Sequence, residues 1–255
     1  MDTQRLERLH AIAHSLQHDS RALALLGLGS AGIEQERLDA FSDLDFFVIA
    51  APGRKQELIA TLDWLERIRP LVWHYRNTVD GHKALFDDAI FCEFAVFEAE
   101  ELPRIAFSPG RLIWHHPDFD TASCQPRLAE ASGARDADWL LNEALGNLFV
   151  GLGRFCRGER LSAFRLVQLA APDCLLQLAD RLAPASDGVS RDRFAIERRF
   201  EARQPDAAAA LPDWMRGYDA SPASALAQLD WLERHFAVNP ALAAQIRAQA
   251  AHAPA

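Results

Sequence analysis

The sequence predicts an α/β (α+β) domain followed by an all-α helical bundle domain, and three observations predict it. Up to residue 118, short apolar runs ended by turn residues alternate with amphipathic stretches, the pattern of strands and their covering helices. Residues 119–135 are rich in Ser, Ala, Gly, Pro and Asp and have little periodicity, which reads as a linker. Beyond them Leu141, Leu145, Leu148, Leu152 and Phe155 form a stripe at helical spacing. The expected division is therefore 1–118, a linker at 119–135, and 136–255. At 255 residues the chain can hold one large or two small domains.

Residues 2–18 fit an amphipathic helix, with Leu6, Leu9, Ile12, Ala13 and Leu16 on one stripe. His10, His14 and His18 recur every four residues along one edge. Two such histidines suit zinc, but no cysteine or carboxylate stands nearby to complete the site, so a solvated flank is expected. Arg21 to Leu28 is a buried-strand run ended by Gly29-Ser30. Asp43 to Ile49 reads as a second strand, and Ala50 to Gly53 as a turn. Arg54 to Arg69 reads as a helix stopped by Pro70. Strand patterns follow at 71–77, 84–86 and 90–97, then a short acidic helix near Glu98–Leu102 and a last strand at Leu112–Trp114. His115 and His116 are adjacent and are expected in a loop. In the second half Gly158 ends a helix, and Leu161 to Leu182 forms another that Pro172 must kink or break after Ala171. Trp214, Leu226, Leu229, Leu232 and Phe236 belong to further helices, and 245–255 is an Ala-rich end.

The chemistry concentrates in Leu26 to Ile49. Residues two apart on a strand share a face, so Asp43 and Asp45 would project together from one end of it. Two such carboxylates repel unless a cation lies between them, and Mg²⁺ is the natural hard partner. The plainer reading is a Ser42-Asp43 turn ahead of a buried strand. Glycine at Gly29 lets a ligand approach the backbone, amides at a helix start point at anions, and the Ser30 hydroxyl adds a donor. Glu93 is the only charge in the apolar run Ile90 to Phe97. A carboxylate there is costly unless paired or metal-bound. Asp87 and Asp88 are rival carboxylates in a turn. Lys83, Arg37 and Arg165 are candidate phosphate contacts.

Leu28-Gly29-Ser30 followed by Asp43-Leu44-Asp45-Phe46 resembles the signature of the DNA polymerase β-type nucleotidyltransferase superfamily. That signature is a hydrophobic-Gly-[Gly/Ser], a spacer, then Asp-hydrophobic-[Asp/Glu]-hydrophobic. Phe41 to Ile49 is similar to the antibiotic nucleotidyltransferases, which adenylate aminoglycosides or nucleotidylate lincosamides. Arg157-Gly158-Glu159-Arg160 is similar, more loosely, to a Gly-Glu pair in their helical half. The resemblance implies a mixed sheet, Mg²⁺ as cofactor, and ATP or another NTP as substrate. It implies that Asp43 and Asp45 hold the metal and that Glu93 is the third metal carboxylate or the base for an acceptor hydroxyl. Gly29 and Ser30 would bind the β- and γ-phosphates, and the helical half a small-molecule acceptor. Members of the superfamily also transfer AMP to proteins, and a non-catalytic, antitoxin-like binding module of this fold is the other alternative.

Bulk properties narrow the field. An apolar share of 49% and a charged share of 25% are those of an ordinary globular protein. A formal charge of −9 argues against a general nucleic-acid binder. No apolar run is long enough for a membrane span, and Met1 to Arg8 is no signal peptide. The four cysteines, Cys92, Cys124, Cys156 and Cys174, form no C-x-x-C and read as reduced thiols of a cytoplasmic protein. A monomer or homodimer is expected.

Overall fold

The computed structural model describes residues 3–126, 135–183, 185, 189, 191–192 and 195–254. The chain divides into two compact units, Met1–Ser132 and Gly133–Ala255.

The first unit is the expected mixed sheet; it has six strands, with helices on one face. It opens with α1 (Thr3–Gln17), β1 (Ala22–Gly27) and β2 (Leu44–Ala50), then α2 (Lys55–Ala60) and α3 (Asp63–Glu66). Strands β3 (Leu71–Arg76), β4 (Gly81–Phe86), β5 (Phe91–Glu98) and β6 (Arg111–His115) complete it. The spatial order is β3-β4-β5-β2-β1-β6. Only β2 and β5 run parallel; every other neighbouring pair is antiparallel.

Alternation along β2 explains the layering. Leu44, Phe46 and Val48 point to the helix side and are fully buried with Leu9, Ile12 and Leu16 of α1 and with Trp64 of α3. Phe46, Trp64 and Phe94 form an aromatic cluster in this layer, with Phe46 and Phe94 stacked 5.1 Å apart. Asp45 and Phe47 point to the other side. There a smaller core of Ala24, Leu26, Ile49, Phe97, Leu102, Phe107, Phe119 and Cys124 covers part of the sheet.

Several expectations change in detail. The helix expected over 54–69 is two short helices parted at Thr61-Leu62, where Thr61 adopts extended backbone geometry. The short helix expected near Glu98–Leu102 is a single 3₁₀ turn at Leu102–Arg104. The expected linker begins too early. Phe119 and Cys124 are buried in the first unit and frame a 3₁₀ turn at Thr121–Cys124, so 119–124 packs with the sheet domain. Residues 127–134 of that linker lie outside the described residues.

The second unit is helical. It comprises α4 (Ala137–Cys156), α5 (Arg160–Arg165), α6 (Ala171–Leu182), the one-turn helices α7 (Phe200–Arg203), α8 (Pro205–Ala208) and α9 (Leu211–Trp214), then α10 (Ser221–His235) and α11 (Pro240–Ala251). Asp136 caps α4 by accepting from the Trp139 amide at 2.6 Å. All five residues of the predicted α4 stripe are buried. The break expected at Pro172 takes a different form. Residues Leu166–Ala170 make a π turn that runs directly into α6, and Pro172, near the start of α6, has no N–H to offer the Val167 carbonyl. Gln168 and Gln228 are fully buried beneath this turn. Gln168 donates to Gly217 O at 2.7 Å, and Gln228 donates to Val167 O at 2.7 Å. Gln228 thus satisfies the π-turn carbonyl that lacks a helical partner, and Gln168 ties the turn to Gly217, whose amide donates back to it at 2.9 Å. Among the described residues no helix is long and apolar enough to cross a membrane.

Candidate active site

The site residues of the first unit gather on the sheet face opposite α1–α3. β1 ends at Gly27, and the chain turns sharply through a 3₁₀ turn at Gly29–Ala31. Gly29 has φ +50°, a left-handed conformation that glycine adopts without a Cβ penalty. The turn is fastened to β2 by the Leu28 amide, which donates to Asp45 O at 2.8 Å. A Cβ built on Gly29 would stand 3.9 Å from Asp45 Oδ2, so the turn passes directly beside that carboxylate. The expected anion-binding helix start is thus one 3₁₀ turn whose backbone faces Asp45.

Asp43 lies just before β2, half-buried, so the strand starts one residue later than expected. Its loop is held from α1. The Arg5 guanidinium donates to Ser42 O at 2.5 Å and to Ala40 O at 2.6 Å, and Arg5 is 9% exposed. Asp39 and Ser42 stitch the same loop internally. Asp39 accepts from the Phe41 amide at 2.8 Å and from the Ser42 hydroxyl at 3.1 Å, and the Phe41 amide holds its carboxyl below the usual range.

Glu93 stands on β5 in direct register with Asp45 on β2, and on its other side with Lys83 on β4. Paired residues of neighbouring strands share a face, so Asp45, Glu93 and Lys83 form one row. Glu93 answers its electrostatic cost by pairing. Its Oε2 is 3.0 Å from Lys83 Nζ, and its Oε1 accepts from Asn77 Nδ2 at 3.1 Å. The hydrogen bond that Lys83 donates to Glu93, and the Glu93 charge, raise the Lys83 pKa, and Asp43 adds to that field. Cys92, beside Glu93 but on the helix side, is fully buried, and burial pushes its thiol pKa up.

Glu93 is expected either as a third metal carboxylate or as the base for an acceptor hydroxyl. Among the described residues no group of three or more His, Cys, Asp or Glu side chains is placed to hold a metal ion. The reason is local: Glu93 is turned to Lys83 and Asn77. Asp43 and Asp45, two residues apart at the strand start, remain the carboxylates whose hard oxygens fit a divalent cation.

The rival residues have other work. Asp88 pairs with Arg8 at 2.6 Å, and Asp87 pairs with Arg69. Arg37 pairs with Glu34. His18 Nδ1 is 2.9 Å from His14 O, and His115 Nδ1 is 3.0 Å from His116 O. Sequence reasoning missed Asn77, Arg5, and the aromatic pair Trp73 and Tyr75. The pair had a signal, because alternation along Leu71 to Arg76 puts both rings on one face. Without the strand register, nothing tied that face to Glu93.

No family model matches the chain, and no curated protein matches it. Among solved structures, it is similar to an aminoglycoside 6-adenyltransferase from Bacillus subtilis. The identity is 12% and the TM-score 0.36, over 98% of this chain and 92% of that one.

Proposed function

We propose that the chain is a Mg²⁺-dependent nucleotidyltransferase that moves a nucleoside monophosphate, AMP, from an NTP to a hydroxyl of a small-molecule acceptor such as an aminoglycoside or lincosamide. One observation carries the reading: the register that sets Asp45 beside Glu93, with the Gly29 turn against Asp45 on its other side. An anion-accepting turn, a carboxylate suited to a cation and a second carboxylate suited to a proton thus follow one another across the sheet.

Asp43 and Asp45 would hold the Mg²⁺, which supplies charge neutralisation at the phosphates and activation of the attacking oxygen. The Gly29 turn and the Ser30 hydroxyl donate to the β- and γ-phosphates and fix the direction of the leaving pyrophosphate. Glu93 takes the proton of the acceptor hydroxyl. The acceptor oxygen then bonds to the α-phosphorus as the bond to pyrophosphate breaks. Lys83 stays beside Glu93 and offsets the negative charge gathered there. The four cysteines are free thiols, which supports a reducing compartment, the cytoplasm.

A second reading has its own observation. The Lys83–Glu93 pair leaves the third carboxylate occupied, which favours a non-catalytic binding module of the same fold. A pyrophosphate-release screen separates the two. It crosses four NTPs with aminoglycosides, lincosamides and a cell extract, each with and without Mg²⁺. Metal-dependent release with a small acceptor supports the enzyme. Release with label on a protein moves the reading to protein AMP transfer. Silence in every arm leaves the binding module.

A further inference from the structure

Asn77 stands just beyond β3, at the head of the turn that leads into β4. Its backbone N–H donates to Gly81 O at 3.1 Å, which sets it opposite Gly81. Gly81 in turn pairs with Ala95 on β5, two residues along from Glu93. The Asn77 side chain reaches over β4 to β5, where its Nδ2 donates to Glu93 Oε1 at 3.1 Å. Glycine opens that path. A Cβ on Gly81 would stand 2.9 Å from Asn77 Oδ1 and 2.8 Å from Thr78 Oγ1, too close for the side chains to share the space. The turn is anchored at Asp80, whose carboxylate meets Lys55 Nζ at 2.7 Å and whose carbonyl accepts from the Val96 amide at 2.8 Å. With Lys83 Nζ 3.0 Å from Oε2, both oxygens of Glu93 are engaged, one from β4 and one from the anchored turn.

The arrangement is costly. Asn77 Oδ1 is buried and, among the described residues, has no hydrogen-bond partner. An unpaired buried acceptor costs about 1–3 kcal/mol. Turning the amide round gives no relief, because its oxygen would then face the Glu93 carboxylate. A contribution to the fold does not offset that cost: the bond gained goes to a Glu93 side chain that is 41% exposed and that water would satisfy. What the bond supplies is direction. Glu93 is in register with Asp45, one strand spacing of about 4.8 Å away, so a freed Glu93 carboxylate would reach a cation held by Asp43 and Asp45. We propose that Asn77 is a positioning residue that holds Glu93 off the metal and keeps it as the proton acceptor. The inference rests on the nucleotidyl-transfer reading for the metal and the acceptor hydroxyl, and it decides between the two roles open to Glu93. Lys83 brings a charge to one oxygen. Asn77 brings a neutral donor to the other and so fixes the plane of the carboxylate.

The test combines Mn²⁺ affinity by electron paramagnetic resonance, melting by circular dichroism, and pyrophosphate release from ATP with kanamycin or lincomycin. Wild type, Asn77→Ala, Glu93→Gln and the double variant are compared, with Asn77→Ser, too short to cross Gly81, as a second single variant. In Asn77→Ala, Mn²⁺ should bind about threefold tighter or more, as a third carboxylate joins the two aspartates. The gain should vanish when Asn77→Ala is made on Glu93→Gln. The melting temperature should hold or rise, because the unpaired Oδ1 is gone. At saturating Mg²⁺, kcat should fall about tenfold or more with KM for ATP unchanged, the mark of a displaced proton acceptor. Unchanged Mn²⁺ affinity in the folded single variants would overturn the proposal, and a lowered melting temperature beside it would make Asn77 a turn residue only. A gain that survives Glu93→Gln would overturn it too. A wild type that binds no Mn²⁺ would overturn both the proposal and the reading it rests on. If wild type releases no pyrophosphate but the Mn²⁺ gain through Glu93 appears, the hold on Glu93 stands and nucleotidyl transfer falls.

Discussion

Lys83 and Glu93 face each other across β4 and β5, Nζ to Oε2 at 3.0 Å, with Glu93 in register on its other side with Asp45. The pair is partly solvated, with 32% and 41% of the two side chains exposed, so it is worth little to the fold. Its consequence is electrostatic: one cation stands among carboxylates that would otherwise repel.

Replacing Lys83 by Met should therefore change metal affinity more than stability. Removing the positive charge that stands 3.0 Å from Glu93 and feels the charge of Asp43 should tighten divalent binding by about fivefold, on the order of 1 kcal/mol at an effective dielectric of a surface cleft. Mn²⁺ titration by electron paramagnetic resonance reads this directly. The melting temperature should stay within about 3 °C of wild type. Glu93→Gln should keep NTP binding and lose transfer. A Glu93→Gln protein that unfolds, with normal turnover in the folded remainder, would show a structural glutamate.

Asp45→Asn tests the centre of the row. Asparagine keeps the shape and removes the charge, and the Asp45 backbone carbonyl still accepts from the Leu28 amide. The fold should persist by circular dichroism while NTP turnover falls by at least about a hundredfold, the scale of losing one preorganised electrostatic contact. Wild-type turnover in this variant ends the two-aspartate site.

Much of this was legible in the sequence because it is periodic. The burial of Leu44, Phe46 and Val48 follows from alternation, and that of Leu141, Leu145, Leu148, Leu152 and Phe155 from helical spacing. Asp43, Asp45 and Glu93 stood out because charge at the edge or middle of an apolar strand needs a reason. What was hidden is what depends on register and on long side chains reaching between elements. Nothing local says that Lys83 lies opposite Glu93, or that Tyr75 lies opposite Lys83. Nothing local says that Gln228 feeds a carbonyl of a π turn, or that Gln168 reaches Gly217. Arg5 and Arg8 look like solvated helix positions, yet both are buried; Arg8 lies over the Phe86 ring at 4.2 Å and reaches Asp88.

Arg5 offers a prediction of its own. Its guanidinium spans two carbonyls of the loop that delivers Asp43, at Ser42 and Ala40. A hydrogen bond from a charged donor contributes about 1.5–3 kcal/mol, so Arg5→Ala should lower stability by roughly 2–3 kcal/mol. A purely structural role would stop there. If Arg5 positions Asp43, amides 40–43 should exchange faster in Arg5→Lys, whose single ammonium cannot span both carbonyls. Mn²⁺ affinity should drop with them, and guanidinium added to Arg5→Ala should restore part of it. Unchanged exchange at 40–43 in a folded variant removes Arg5 from the site.

Acid sensitivity should be set at the other end of α1. Asp19 is buried, with its carboxylate 2.6 Å from Arg21 Nη2 and 2.8 Å from Arg67 Nη2. The bond from Arg21 holds its carboxyl well below the usual range, against the upward push of burial, and Arg67 adds to the lowering. A carboxylate depressed on folding stabilises the native state above its unfolded pKa, near 3.8, and that stability is lost as pH falls below it towards the folded value. Wild type should therefore lose stability steeply between about pH 4 and pH 2. Asp19→Asn should remove that component of the slope. At pH 7 it should also cost roughly 3 kcal/mol, because it leaves the partly buried Arg21 with Asp63 as its one charged partner among the described residues, beside the Thr61 hydroxyl. Urea midpoints from pH 2 to pH 7 for both proteins check this. Parallel pH curves for the two would show that Asp19 is protonated at the same pH in both states, contrary to its contacts with Arg21 and Arg67.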